Sequence, residues 1–234
     1  MAKLHYYHYD FKAMGSPCSI QLYARNSKLG EHAAQVVIDD VVRLEGRFSR
    51  YRQDSFLSKI NRVAARGGTI TVDDETAGLL DYAATCYEQS DGLFDITSGI
   101  LRRVWDFKSG VIPGQAAIQT LLEKVGWHKL DWRRPRLTFL LPGMEIDFGG
   151  VVKEYAVDRA AVLCWEAGIH HGIVNLGGDI KVIGPHDDGS PWRVAVRHPR
   201  QTDGILRTIL LHSGAMASSG DYERCITLNG VRYG

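Results

Sequence analysis

The hydrophobic positions of this chain follow two periods, and each period predicts a different kind of element. From Glu31 to Phe48, apolar residues recur at intervals of three and four, which is the spacing of an amphipathic helix. Five more helices are predicted. The first starts near Ser55, the second covers residues 76–89 behind a cap at Asp73 or Asp74, and the third follows a turn at residues 90–92. The fourth covers residues 115–126, and the fifth runs from Val151 to a glycine cap at Gly168.

Short runs of β-branched and aromatic residues predict strands, most of them late in the chain. Residues 7–24 predict a hairpin that turns at residues 15–17, and residues 136–148 predict another that turns at Pro142-Gly143. A single strand is predicted at residues 69–72, and strand follows strand after residue 171. Because helices and strands do not alternate regularly, the order predicts an α+β fold with antiparallel sheet. Without internal repeats or linkers, we expect one domain.

Composition narrows the class of protein. The chain has 234 residues, 44% of them hydrophobic and 24% charged, which is typical of a globular protein. Its net charge of +1 provides no overall field for nucleic acid or an anionic membrane. The sequence has no apolar run of about 18 residues, so no membrane segment is expected. The first residues lack a secretory signal, which predicts a cytoplasmic protein as numbered, or a periplasmic one if a signal was trimmed.

Candidate chemistry lies in turns that contain glycine. Gly149-Gly150 ends an apolar run and leads directly into a predicted helix, whose free N–H groups are suited to a phosphate. The motif is neither a Rossmann nor a P-loop fingerprint, and an ordinary strand-to-helix turn explains it equally well. Two further glycine turns, at residues 175–180 and 218–224, suggest segments that converge on one ligand; bulges or tight turns in a sheet are the alternative.

Other polar groups have simpler explanations. Asp95 and Thr97 beside an aromatic residue are as typical of a helix cap as of a binding site. His170 and His171 are adjacent, so they point in opposite directions on a strand and a solvated turn is favoured over a metal site. The four cysteines form no C-x-x-C pair, which argues against a zinc knuckle or a redox site.

Six segments, taken together, resemble a known family. They are, in chain order, "AMGSPCSI", "FSRYRQDSFLSKIN", "DGLFDITSGIL", "IDFGGVVKEYAVDRAA", "GIVNLGGDIKVIG" and "ASSGDYER". Their order and spacing resemble those of the ApbE family, the FAD:protein FMN transferases, along essentially the whole chain. The resemblance implies a single T-fold-like α+β domain with packed helices. It also implies Mg²⁺-dependent transfer of FMN from FAD to a threonine or serine hydroxyl of a target flavoprotein, with release of AMP.

The resemblance also implies a set of site residues. The expected FAD-binding residues are Met14, Tyr51, Leu93, Phe94, Asp95, Gly149, Gly150, Tyr155, Gly178, Asp179, Ser219 and Gly220. The main-chain carbonyl of Val152 is expected to be a ligand of Mg²⁺. Asp158 also matches a motif position, although its role is not specified. No catalytic residue is assigned.

Two departures from the family pattern qualify these expectations. Many relatives have glycine where this chain has Glu154, one helical turn before Asp158. The chain also ends at Gly234, before the family's H-I-x-D-P-x-T-G segment and the residues that complete its metal site, so weak metal binding and poor transfer are expected. An FAD carrier and an Mg²⁺-dependent FAD pyrophosphatase that produces FMN and AMP are the alternative functions.

Overall fold

A computed structural model describes residues 3–105, 111–201, 204–220, 225–228 and 231–233. The helices are α1 (Ser27–Phe48), α2 (Phe56–Arg66), α3 (Asp74–Gln89), α4 (Gln115–Leu122) and α5 (Val152–Glu166), with short 3-10 helices at Ile96–Arg103 and Trp127–Lys129. The strands are β1 (His5–Ala13), β2 (Ser16–Ala24), β3 (Gly68–Thr71), β4 (Leu130–Arg133), β5 (Arg136–Phe139), β6 (Gly172–Leu176), β7 (Asp179–Gly184), β8 (Trp192–Arg197), β9 (Ile205–Leu211), β10 (Ala215–Met216), β11 (Ile226–Leu228) and β12 (Val231–Tyr233). All strand pairs are antiparallel, which confirms the predicted α+β class.

The chain forms two compact units. The first comprises the described residues of Met1–Glu45 and Lys153–Glu223, and the second those of Gly46–Val152 and Arg224–Gly234. That the whole chain acts as one FAD-binding domain stays a prediction. Within the described ranges, the structure has no helix long and apolar enough to cross a membrane.

The first unit is built on a five-stranded sheet in the order β1-β2-β6-β7-β10. The predicted stripe of α1 is confirmed, because Ala34, Val37, Val41 and Leu44 are all buried. In strand β2 burial alternates with a period of two: the even-numbered side chains from Cys18 to Ala24 are buried, and the odd-numbered ones between them lie on the opposite face of the sheet. Beside the sheet, Trp192 of β8 joins a cluster of buried apolar side chains that includes residues of β6 and β7.

The second unit contains the three-stranded sheet β3-β5-β4 together with α2, α3 and α4. The predicted cap at Asp73 is confirmed, and the helix predicted to start near Ser55 is capped by that residue. The Ser55 hydroxyl accepts a hydrogen bond from the Ser58 N–H at the start of α2, and the Asp73 carboxylate accepts one from the Thr76 N–H at the start of α3. Such caps satisfy N–H groups that have no partner inside the helix, so they fix where each helix begins.

Two predicted turns lie elsewhere. The first hairpin turns at Met14 and Gly15, whose φ angles are +51° and +70°, and residues 16 and 17 already belong to β2. A two-residue turn with both φ positive matches the twist of paired strands, which explains why it replaces the predicted one. The second hairpin joins β4 to β5 at Arg134-Pro135, not at Pro142-Gly143.

The predicted strand at residues 144–148 is not paired with another strand. Its alternation is nevertheless real, since Met144, Ile146 and Phe148 are completely buried. The side chain of Asn61 from α2 replaces the missing strand: it donates to the Ile146 carbonyl and accepts from the Ile146 N–H, each at 2.9 Å. The pattern therefore predicted an extended segment correctly but not its partner.

Candidate functional site

In the second unit, the glycine turn leads directly into α5, as predicted. The Phe148 carbonyl accepts hydrogen bonds from the N–H groups of Val151 and Val152, both at 2.9 Å. A Cβ atom on Gly150 would lie 2.9 Å from the Phe94 ring, so the two residues are in contact. Two of the expected FAD-binding segments therefore meet at the start of this helix.

Tyr51 is connected to the same turn through two residues. The Arg50 guanidinium donates a hydrogen bond of 2.9 Å to the Tyr51 hydroxyl and pairs with the Asp147 carboxylate. The other oxygen of Asp147 accepts a 2.9 Å hydrogen bond from the Gly149 N–H. Tyr51, Phe94, Gly149 and Gly150, all of them expected FAD-binding residues, are thus brought together in the second unit.

Leu93 and Asp95 lie on either side of Phe94 in different environments. Leu93 is 92% exposed and Tyr51 is 76% exposed, so each apolar group is available to a ligand. Asp95 is occupied: its carboxylate caps the following 3-10 helix through Thr97 and accepts a 2.9 Å hydrogen bond from the Trp127 N–H. Its side chain therefore supports the segment, and its main-chain carbonyl also accepts a 3.0 Å hydrogen bond from the Ser98 N–H.

In the first unit, two tight turns lie side by side. The β6–β7 turn consists of Gly177 and Gly178, both with positive φ, and the Gly177 N–H donates to the Pro17 carbonyl at 3.1 Å. A Cβ on Gly177 would lie 2.5 Å from that of Ser16, so only glycine permits this approach to the Met14 turn. The Ser218 hydroxyl also reaches this turn, because a Cβ on Gly178 would lie 3.0 Å from its oxygen.

Charged groups surround these turns in the first unit. The Lys153 ammonium lies 3.4 Å from the buried Asp179 carboxylate. One carboxylate oxygen of Glu154 is buried and has no hydrogen-bond partner among the residues that the structure describes. Burial raises the pKa of Glu154, and the nearby Asp179 carboxylate adds to that effect. Ionisation of Glu154 is therefore costly, at a position where the family pattern described above predicts glycine.

The remaining expected residues are less closely associated. Tyr155 is half-buried on α5, where the Arg159 guanidinium lies 5.9 Å from the centre of its ring. Ser219 and Gly220 are exposed and follow β10 outside any helix or strand. The Asp158 carboxylate on α5 forms a salt bridge of 2.7 Å with the Lys181 ammonium on β7. The rest of the segment from residue 221 to residue 224 lies outside the described residues.

Sequence reasoning did not assign Arg50 or Asp147 to the site. Both stand inside quoted motifs, "FSRYRQDS" and "IDFGG", but they are 97 positions apart. Nothing in either motif indicates that the two side chains pair. Lys153 also stands inside the quoted glycine motif, and its contact with Asp179 cannot be predicted before the β6–β7 turn is placed.

The described residues do not form a complete magnesium site. Val152 is the first residue of α5, and its N–H donates to the Phe148 carbonyl. The positive end of the helix dipole at this position suits an anion better than a cation. Asp147, the carboxylate of the same unit that flanks the turn, already binds Arg50 and the Gly149 N–H. No group of three or more His, Cys, Asp or Glu side chains suited to a metal occurs among the residues placed in the structure.

A salt bridge between Asp40 of α1 and Arg159 of α5 links these two helices in the first unit, and its contribution to stability can be measured. Burial acts to raise the pKa of Asp40, but hydrogen bonds from Arg159 and Arg43 outweigh it, so the pKa is below its usual value. Because the pKa of Asp40 is lower in the folded protein than in the unfolded one, the ionised carboxylate stabilises the fold at every pH above the unfolded pKa. This stabilisation is lost as the pH falls through the lowered pKa of the folded protein.

We therefore expect Asp40→Asn to reduce the free energy of unfolding by about 1–2 kcal/mol at neutral pH, with the difference shrinking in acid. Urea unfolding of both proteins between pH 3 and pH 8 measures this. The exposed Asp39, which accepts a hydrogen bond from Gln35 and not from an arginine, supplies the control variant Asp39→Asn. A difference between Asp40→Asn and the wild type that grows in acid would contradict the assignment.

Comparison with known proteins adds to this geometry. The family model described as "ApbE family" matches residues 14–234. The chain is 26% identical over 232 residues to the FAD:protein FMN transferase of Vibrio cholerae, covering 97% of this chain and 69% of that protein. It is 27% identical to the enzyme of the same name from Haemophilus influenzae, covering 85% of this chain and 60% of the relative.

Solved structures agree in fold. The ApbE protein from Thermotoga maritima is 31% identical and superposes with a TM-score of 0.87, covering 98% of this chain and 75% of that one. Flavin transferase ApbE from Vibrio cholerae is 25% identical with a TM-score of 0.80, covering 99% and 75% of the two chains. Since the family model covers nearly the whole sequence and the folds agree, this chain belongs to the ApbE family.

Proposed function

We propose that this protein transfers FMN from FAD to a threonine or serine hydroxyl of a target flavoprotein, releases AMP and depends on Mg²⁺. The observation that carries the proposal is the match to the ApbE family over residues 14–234, together with relatives named FAD:protein FMN transferase. The glycine turn at the start of α5 supports it, because phosphorus chemistry needs a place for a pyrophosphate.

The reaction is a displacement at phosphorus. The hydroxyl oxygen of the target attacks the phosphorus of the FMN half, and the bond from that phosphorus to the bridging oxygen breaks. The bridging oxygen leaves with AMP, and the hydroxyl proton passes to solvent or to a base. The products are a phosphoester between FMN and the target protein, and AMP. Catalysis of this kind rests mainly on positioning and charge stabilisation.

The residues of the second unit are suited to binding the flavin nucleotide. The helix dipole is positive at the start of α5 and favours a phosphate, and Gly149 and Gly150 have no side chains that would block the approach of a ligand to the backbone. The exposed ring of Tyr51 and the exposed apolar side chain of Leu93 offer contact area to the flavin ring system. In the first unit, Lys153 supplies a positive charge near the Gly177 turn, because its Nζ would lie 3.9 Å from a Cβ atom added to Gly177.

Magnesium is part of the proposal on the strength of the family alone. When bound, Mg²⁺ neutralises charge on the pyrophosphate, and it commonly takes substrate phosphates and water among its ligands. Because the described residues do not present a full ligand set, none of the roles given to this chain's residues depends on the ion.

Mass spectrometry tests the proposed function directly. The protein is incubated with FAD, Mg²⁺ and a flavoprotein segment that contains one threonine, and the segment is then weighed. We expect the segment to gain the mass of an FMN unit and AMP to accumulate in equal amount. The matched control replaces that threonine with valine, which has a similar shape and no hydroxyl, and should gain nothing.

Other results would identify a different activity. Free FMN and AMP with an unmodified segment would show that water is the attacking group, as in an FAD pyrophosphatase. Intact FAD that stays bound to the protein would indicate a carrier. Transfer that continues undiminished in excess EDTA would contradict the dependence on Mg²⁺ without affecting the transferase assignment.

A further inference from the structure

We infer that Arg50 is a positioning residue for FAD, which holds Tyr51 and the Gly149 turn in one arrangement through three contacts. The inference rests on the proposed function, because it assumes that Tyr51 and the glycine turn bind FAD. It assigns to Arg50 and Asp147 a role that neither motif suggested, and its evidence lies entirely within the second unit.

Arg50 makes polar contacts with Tyr51 and Asp147 and also lies close to the Tyr51 ring. One nitrogen donates to the Tyr51 hydroxyl at 2.9 Å, and another pairs with the Asp147 carboxylate. The guanidinium carbon also lies 5.0 Å from the centre of the Tyr51 ring, within the range of a cation–π contact. One planar group therefore fixes the direction of the tyrosine ring and its distance from Asp147.

Asp147 is a rigid anchor for this arrangement. Its N–H donates to the Ile96 carbonyl at 2.8 Å, and a Cβ on Gly99 would lie 2.5 Å from the Cβ of Asp147. Its side chain is only 15% exposed, and its second oxygen accepts from the Gly149 N–H. The position of Asp147 is thus determined by the fold around it and not by the exposed residues that it orients.

Tyr51, in contrast, depends on Arg50 for its orientation. With 76% of its surface exposed, its ring has little packing to hold it, and free rotation would cost binding free energy when a ligand fixes the ring. The Arg50 side chain is 26% exposed, so its contacts are partly shielded from water and stronger than those of a surface ion pair.

Lysine cannot replace this geometry. An ammonium group is a point charge on a flexible stem, whereas the guanidinium is a planar fork that binds a carboxylate and lies against a ring at once. Arg50→Lys keeps the charge and so preserves most of the attraction to Asp147. It is therefore expected to lose the orientation of Tyr51 with a smaller loss of stability than Arg50→Gln.

The test combines a flavin-independent measurement with kinetics. The protein is labelled with 3-fluorotyrosine, and the ¹⁹F resonance of Tyr51 is assigned by its absence in Tyr51→Phe. We expect Arg50→Gln and Arg50→Lys to move this resonance towards that of free fluorotyrosine. In FMN transfer, both variants should raise KM for FAD about tenfold, with kcat within about twofold of wild type, since a lost charged hydrogen bond is worth roughly that much.

Arg47→Gln is the matched control. Arg47 also pairs with a carboxylate, that of Asp73, and lies 4.7 Å from the centre of the Phe56 ring, but neither partner is an expected FAD residue. It should lower stability without moving the Tyr51 resonance or KM.

Three outcomes separate the inference from the proposed function. An unmoved Tyr51 resonance in both Arg50 variants overturns the inference whatever the enzyme does. A moved resonance with an unchanged KM also overturns it, because Tyr51 would then be oriented without effect on FAD. If the wild-type protein transfers no FMN, the proposed function fails, while the resonance still decides whether Arg50 orients Tyr51.

Discussion

Replacing Gly150 with valine is expected to reduce FAD binding and FMN transfer by about 100-fold while the protein stays folded. A Cβ at this position would lie 2.9 Å from one carbon of the Phe94 ring and 3.3 Å from the next, so the ring must move. The two added methyl groups would also crowd the main chain at the start of α5, where the helix dipole favours a phosphate. Flavin fluorescence titration and the mass assay measure the two effects.

The neighbouring glycine provides a control for this prediction. A Cβ on Gly149 would meet the Asp147 carboxylate, whose nearest oxygen lies at 3.3 Å and would need to move by only a few tenths of an ångström. Gly149→Ala should therefore have a much smaller effect on binding. Circular dichroism should show the same helix content in both variants. If Gly150→Val bound FAD as tightly as wild type, the two glycines would be only a chain reversal, which was the alternative left open by the sequence.

Gly184→Ala is expected to lower the free energy of unfolding by about 4 kcal/mol, which is among the largest effects of a single substitution. Gly184 ends β7 opposite Gly172, beside an irregularity in the pairing of β6 and β7. An added Cβ would lie 2.0 Å from the His170 carbonyl oxygen, and a backbone atom cannot rotate away as a side chain can. The two strands would have to separate at this end of the central sheet.

Thermal unfolding measures the prediction, with an expected decrease in Tm of about 8–16 °C for a chain of this length. Gly46→Ala is the control, because a Cβ there would meet nothing within 4 Å and alanine favours the helix α1. Its Tm should stay the same or rise. An equal Tm for Gly184→Ala and wild type would mean that the strands separate here at no cost, contrary to the close approach described.

The sequence predicted those features that are determined locally. Ser55 and Asp73 each bond to an N–H three residues ahead, so their side chains and the helices that they start can be recognised from a short stretch. The stripe of α1 is equally local, since its burial follows from the spacing alone. The α+β class followed from the order of such elements, which needs no knowledge of their contacts.

Features that join distant positions were not predictable in this way. Ile146 lies in an extended segment, as its pattern indicated, but its partner is a side chain 85 positions away and not a neighbouring strand. The Arg50–Asp147 pair spans 97 positions. The expected site residues came from the family resemblance, and physical reasoning alone left the glycine turn undecided between a phosphate site and an ordinary turn.

The amide group that links Asn61 to Ile146 also determines how this part of the molecule opens. In a sheet, a main-chain amide hydrogen is shielded from exchange with solvent by the neighbouring strand. The amide hydrogen of Ile146 is instead shielded by a side chain of α2, so its exchange requires Asn61 to rotate away or that helix to unwind or move. We therefore expect the protection of Ile146 to depend on the stability of α2, although the two are far apart in sequence and belong to different elements.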